Sequence, residues 1–66
     1  MPIITIVIFE GRTEELKGKL VKAITDDVVE IFGATGATRE GTVIIYQEIP
    51  RTNYARGGTL ASEKHK

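Results

Sequence analysis

Ile3-Ile4-Thr5-Ile6-Val7-Ile8-Phe9 runs straight into Glu10-Gly11-Arg12-Thr13-Glu14-Glu15-Leu16, and the reading of this junction decides the fold. The first seven residues are β-branched or aromatic throughout, which suits a strand. Both alternating faces of that strand are apolar, so it is expected to be covered on both sides, as a central strand in parallel pairing is. Glu10-Gly11-Arg12 then turns the chain. Thr13 is placed to cap a helix, since its hydroxyl can accept from the first free amides, and Glu14 and Glu15 sit favourably against the positive end of the helix dipole.

Outward from that start, Leu16, Leu20, Val21, Ile24, Val28, Ile31 and Phe32 recur at spacings of three and four, the pattern of one helix face. Lys17, Lys19, Lys22, Asp26 and Glu30 are expected mostly on the other side. Gly18 weakens the helix slightly relative to alanine and is read as an incidental surface glycine. Gly33 is expected to cap the helix C-terminus. The glycine-containing loop from Ala34 to Gly41 follows a helix, lacks a Gly-Lys-Ser/Thr ending and leads into a strand pattern, so it reads as a connection and not as a phosphate cradle. Thr42-Val43-Ile44-Ile45-Tyr46-Gln47 is the second strand. Strand, helix and strand in this order predict a parallel β-α-β unit with a right-handed crossover, an α/β fold. Ile49 to Gly58 is turn chemistry, rich in proline, asparagine and glycine, and Thr59-Leu60-Ala61 is placed as a short edge strand. The whole chain, 1–66, reads as a single domain, with 62–66 as a frayed tail.

The totals narrow what such a unit can be. At 66 residues the chain buries only about 60% of the surface that its unfolded form exposes, and a core of that size rarely supplies more than ~3–5 kcal/mol. The chain has no cysteine, so disulfides cannot compensate, and the single histidine, His65, cannot build a multi-histidine metal site within one chain. Oligomerisation is the remaining remedy, and the uncovered sheet face is where it is expected. Nine basic and nine acidic side chains cancel, so no global field draws the protein to nucleic acid or an anionic membrane. The apolar run of β residues is too short for a signal peptide or a membrane span. A cytoplasmic protein with a small-molecule partner is expected.

Pro2 stands directly behind the initiator. Where Met1 is removed, Pro2 carries a free secondary amine, and an amine held against apolar surface is more readily neutral because burial disfavours the charged form. A neutral amine near pH 7 is a general base. Taken alone, a proline at the head of a strand is ordinary, since that amide needs no ladder partner.

Three features coincide in order: Pro2, Glu10-Gly11-Arg12-Thr13 past the first strand, and Asn53-Tyr54 followed by Gly57-Gly58 after the second. On these the chain resembles the 4-oxalocrotonate tautomerase family over nearly its whole length, with a loop between helix and second strand a few residues longer than in the family's best-known member. The resemblance implies a tautomerase/MIF-like fold with a short C-terminal hairpin and a homohexamer built as a trimer of dimers. It implies a cofactor-independent keto–enol isomerase with Pro2 as the catalytic base. It also implies that Arg12 binds a substrate carboxylate, often across a subunit boundary, and that Tyr54 forms part of the apolar wall that keeps the base neutral. A substrate such as 2-hydroxymuconate follows, with no metal.

One position departs from the family pattern. Where the best-known member carries a second arginine, at the substrate's 2-oxo end, the strand alignment gives Val43 here, and none of Arg39, Arg51 and Arg56 falls on that position. The departure leaves two other readings open: a hydratase, dehalogenase or promiscuous proline-dependent enzyme on the same fold, or a non-catalytic subunit of a mixed hexamer. The acid that hydratase and dehalogenase members place near the aromatic position is absent from Tyr54-Ala55-Arg56. Arg51 and Arg56 themselves read as surface charges, and Asp27 as a solvated rim residue.

Overall fold

In the computed structural model, residues 1–65 are described, the last two by their backbone alone. Strand β1 spans Ile3–Phe9, helix α1 Glu14–Phe32 and strand β2 Val43–Ile49. β1 and β2 pair in parallel, from Ile3 opposite Val43 to Phe9 opposite Ile49. The register is locked at both ends, where Val43 N–H donates to Pro2 O at 3.0 Å and Glu10 N–H to Ile49 O at 3.0 Å. The second strand thus runs two residues beyond the expected Gln47.

Helix α1 begins as its sequence dictates. Thr13 is extended, and its Oγ1 accepts from Leu16 N–H at 3.2 Å. The end also falls where it is expected: α1 closes at Phe32 with Gly33 as its C-cap, whose N–H donates to Val29 O. Gly33 keeps right-handed helical dihedrals and starts a 3₁₀ turn over Gly33–Thr35; the left-handed residue that breaks the path is Gly36, at φ 101°. Nothing approaches within contact distance of a side chain built at Gly18, in agreement with the incidental reading.

Only one sheet face is covered. Ile4, Ile6 and Ile8 are half-buried on the helix side, whereas Ile3, Thr5 and Val7 lie exposed on the other, together with Ile45 of β2. The expectation of cover on both sides fails within one chain because its single long helix can cover only one face. The helix stripe divides in the same way. Val21, Ile24, Thr25, Val28 and Val29 face inward, while Leu16, Leu20, Ile31 and Phe32 remain exposed at the flank, because two strands are narrower than the stripe.

Lys17 and Asp26, expected to face solvent, are half-buried. Lys17 lays its stem by Tyr46, with Nζ 5.8 Å from the ring centroid, and reaches Glu48 Oε1 at 2.6 Å. That hydrogen bond raises the Lys17 pKa above the ordinary lysine value. Tyr46 O–H donates to Lys17 O at 2.9 Å, stitching β2 to α1. Asp26 accepts from Arg39 Nη1 at 2.7 Å and Lys22 Nζ at 3.1 Å, and these bonds hold its carboxyl below the ordinary aspartate range.

After β2, a 3₁₀ turn over Arg51–Asn53 leads to the antiparallel hairpin β3 (Ala55–Arg56) and β4 (Thr59–Leu60). Its two-residue loop, Gly57 at φ 60° and Gly58 at φ 83°, has positive φ at both positions, which matches the strand twist and is open to glycine without steric cost. Ala61–His65 form a 3₁₀ turn, with Glu63 Oε2 accepting from Leu60 N–H; Lys66, the last residue of the expected tail, lies outside the described residues.

The hairpin does not join the main sheet, and the shape is drawn out accordingly. The radius of gyration is 15.6 Å, whereas a compact domain of this length has about 11 Å. Among the described residues only Val28 and Ala61 are buried apolar side chains, and none of the large ones is fully enclosed.

Candidate active site

At the Phe9 end of the sheet, the strand ends, the turn into α1 and the approach to the hairpin converge. The parallel register puts Phe9 beside Ile49, so the residues that follow each strand emerge side by side. Gly11, at φ 113°, lets the chain reverse and places Arg12 over this end just before the Thr13 cap. Val7, Ile8, Phe9, Arg12, Ile49 and Tyr54 line an open cleft of about 360 Å³. Its wall includes an edge-to-face aromatic pair, Phe9 and Tyr54, with ring centroids 5.2 Å apart and planes at 85°.

A second cleft of about 300 Å³ adjoins it, lined by Phe9, Glu10, Gly11, Arg12 and Arg51. The Arg51 guanidinium carbon lies 4.5 Å from the Phe9 ring centroid, a cation–π contact. Arg12 and Phe9 border both clefts. An apolar wall next to guanidinium groups suits a small acid with a conjugated carbon chain, because the chain can lie on the rings while the carboxylate takes a two-pronged bond.

The structure therefore brings Arg12 and Tyr54 together. It does not bring Pro2 to them. Pro2 precedes β1 while Phe9 ends it, and seven residue steps at about 3.3 Å each separate these ends by about 23 Å. Pro2 is half-buried beside the start of β2, where the neighbouring position, Val43, is apolar. Arg39, the arginine nearest that end in sequence, is engaged by Asp26. Arg51, which reads from the sequence as a surface charge, lines the site. Its signal lies in the strand register, which sets Arg51 level with the Gly11-Arg12 turn and is not visible in composition or periodicity.

A parallel β-α-β unit with a detached two-strand hairpin, an aromatic and arginine cleft at one sheet end and a proline at the other defines a tautomerase-type protein. The chain belongs to the tautomerase family: the family model described as Tautomerase enzyme matches residues 2–64. A 2-hydroxymuconate tautomerase of Bacillus subtilis is 38% identical over 63 residues, which are 96% of this chain and 97% of that protein. The crystal structure of YwhB, a homologue of 4-oxalocrotonate tautomerase, superposes with a TM-score of 0.81 at 37% identity, covering 94% of this chain and 97% of that one. A heterohexamer 4-oxalocrotonate tautomerase from Chloroflexus aurantiacus superposes with a TM-score of 0.77 at 28% identity, covering 96% and 97%.

No helix among the described residues is long and apolar enough to cross a membrane.

Proposed function

We propose that the protein is a cytoplasmic keto–enol tautomerase that acts as one domain over 1–66 and takes a 2-hydroxydienoate such as 2-hydroxymuconate. The observation that carries this reading is the convergence of Arg12 and Tyr54 on one apolar cleft in a chain of the tautomerase family. With Met1 removed, the Pro2 amine takes the proton of the substrate's 2-hydroxyl. The O–H electron pair becomes the carbonyl, the double bonds shift along the chain, and the far carbon of the diene receives the proton back from Pro2. Atoms and charge balance with no oxidant, so the reaction calls for no redox cofactor. Arg12 anchors the carboxylate, and apolar surface with Tyr54 favours the uncharged amine.

The separation of Pro2 from Arg12 and Tyr54 gives the reading a structural requirement: a working site needs the Pro2 end of one copy against the Arg12 end of another. The exposed sheet face of Ile3, Val7 and Ile45 and the exposed flank of Leu16, Leu20, Ile31 and Phe32 offer the surfaces for it. The assembly proposed is a homohexamer, a trimer of dimers. A second reading, a subunit of a mixed hexamer, is favoured by one observation, the apolar Val43 beside Pro2, and by the heterohexameric relative.

The test uses chain with Met1 removed, verified by intact mass. General acid–base groups contribute typically ~10²–10⁴-fold, so Pro2→Ala is expected to lower kcat on 2-hydroxymuconate by about that range, and chain retaining Met1 is expected to match the variant. A Pro2→Ala protein with undiminished kcat refutes Pro2 as the base. Purified protein inactive alone but active when mixed with a related chain establishes the second reading.

A further inference from the structure

We propose that Arg51 is a second anion-binding residue of this site, closing with Arg12 a two-guanidinium seat for the carboxylate end of a conjugated acid. The proposal rests on the reading of Arg12 as the carboxylate anchor and extends it to a residue that neither the sequence motif nor the family match singles out. Phe9 and Arg12 border both clefts, so the apolar and the polar cleft are two parts of one groove. A conjugated chain lying on Phe9 and Tyr54 brings its charged end to the polar part, whose cationic side chains are Arg12 and Arg51.

Four arginines are present in the chain, and their surroundings separate them. Arg39 is paired with Asp26 at 2.7 Å. Arg56 stands in β3 and lines neither cleft. Among the described residues neither Arg12 nor Arg51 is ion-paired. Arg51 is nonetheless held in place, because its guanidinium carbon lies over the Phe9 ring, 4.5 Å from the centroid, and the 3₁₀ turn that carries it is closed by Asn53 N–H donating to Pro50 O at 2.9 Å. A cation–π contact supplies no acceptor oxygen, so the guanidinium N–H groups of Arg51 stay available for a carboxylate. Glu10 also lines the polar cleft; one carboxylate against two guanidinium groups leaves net positive charge there. The seat therefore selects for an anion.

The experiment compares wild type, Arg51→Gln, Arg51→Lys, Arg12→Ala and the charge control Lys19→Gln, all with Met1 removed and checked for assembly by native mass. Binding of trans,trans-muconate, an unreactive conjugated dicarboxylate, is measured by calorimetry, and kcat and KM are measured with 2-hydroxymuconate. A charge-assisted bond lost on truncation predicts about tenfold to a hundredfold weaker muconate binding for Arg51→Gln. Its KM is expected to rise in parallel while kcat stays within about threefold. Arg51→Lys keeps a point charge without the two-pronged geometry and is expected to weaken binding by about threefold or more. Lys19→Gln is expected within twofold of wild type. Arg51→Gln binding within twofold of wild type, with Arg12→Ala impaired, overturns this inference and leaves the Arg12 reading standing. Wild type binding muconate no better than Arg12→Ala overturns both. If Arg51→Gln fails to assemble, Arg51→Lys decides, and unchanged muconate binding there overturns the proposal.

Discussion

Replacing Ile45 with aspartate probes the proposal that copies of the chain cover one another. Ile45 sits opposite Thr5 on the open sheet face, lines neither cleft and keeps 48% of its surface exposed in the single chain. Fully burying a side chain of this kind is worth about 1.5–3 kcal/mol, so covering the exposed half contributes roughly 1 kcal/mol per copy, which Ile45→Asp forfeits. The introduced charge costs more. An unpaired carboxylate taken from water carries an effective penalty of several kcal/mol, and in the proposed hexamer each copy bears it. A lone chain has little to fall back on, with Val28 and Ala61 as the buried apolar side chains among its described residues. Ile45→Asp is therefore expected to lose the assembly and much of its folded structure with it, read by light scattering behind size exclusion and by far-UV circular dichroism. Ile45→Val removes one methylene at about 0.5–1.5 kcal/mol and is expected to assemble. Because Pro2 and Arg12 lie at opposite ends of one sheet, activity is expected to fall with assembly. An Ile45→Asp protein that elutes as wild type, with the same unfolding midpoint, refutes the assignment of this face to an interface.

Two further outcomes follow from bonds within the chain. Tyr46→Phe deletes the 2.9 Å bond to Lys17 O while keeping the ring under the ammonium; a loss of about 0.5–1.5 kcal/mol is expected, and an unchanged urea midpoint at fixed assembly state contradicts it. Asp26 has its folded pKa lowered, first by the Arg39 bond and then by Lys22. Its contribution to stability is thus fully present above the ordinary aspartate value and is lost as pH falls through the lowered one. Carboxyl NMR is expected to place the Asp26 midpoint below the ordinary value, with an upward move in Arg39→Gln; a wild-type midpoint at or above that value contradicts the pairing.

Local chemistry makes much of the fold legible. Thr13 caps α1 because a hydroxyl three residues ahead of a free amide needs no distant partner, and Gly57-Gly58 turn the hairpin because both positions need positive φ. Gly33 caps α1 as the helical pattern predicts, while the left-handed residue that turns the chain away comes three residues later at Gly36. Polarity alone sends Lys17 and Asp26 to solvent, while a long stem and opposite charges across the fold bring both partly inside.

Of the proposed site, Pro2, Arg12 and Tyr54 are named by the family resemblance that their motifs carry, and the parallel pairing follows from two apolar strands around one helix. Spacing along a chain does not set distance through space, and only the tertiary structure decided which of them meet. A seven-residue strand carries Pro2 away from Arg12, whereas the register of β2 against β1 delivers Tyr54 and Arg51 to it. From length and strand composition alone comes the expectation that a chain this small, with strands this apolar, is covered by a neighbour. The structure decided which faces stay bare, because one helix can cover one side of a sheet and no more.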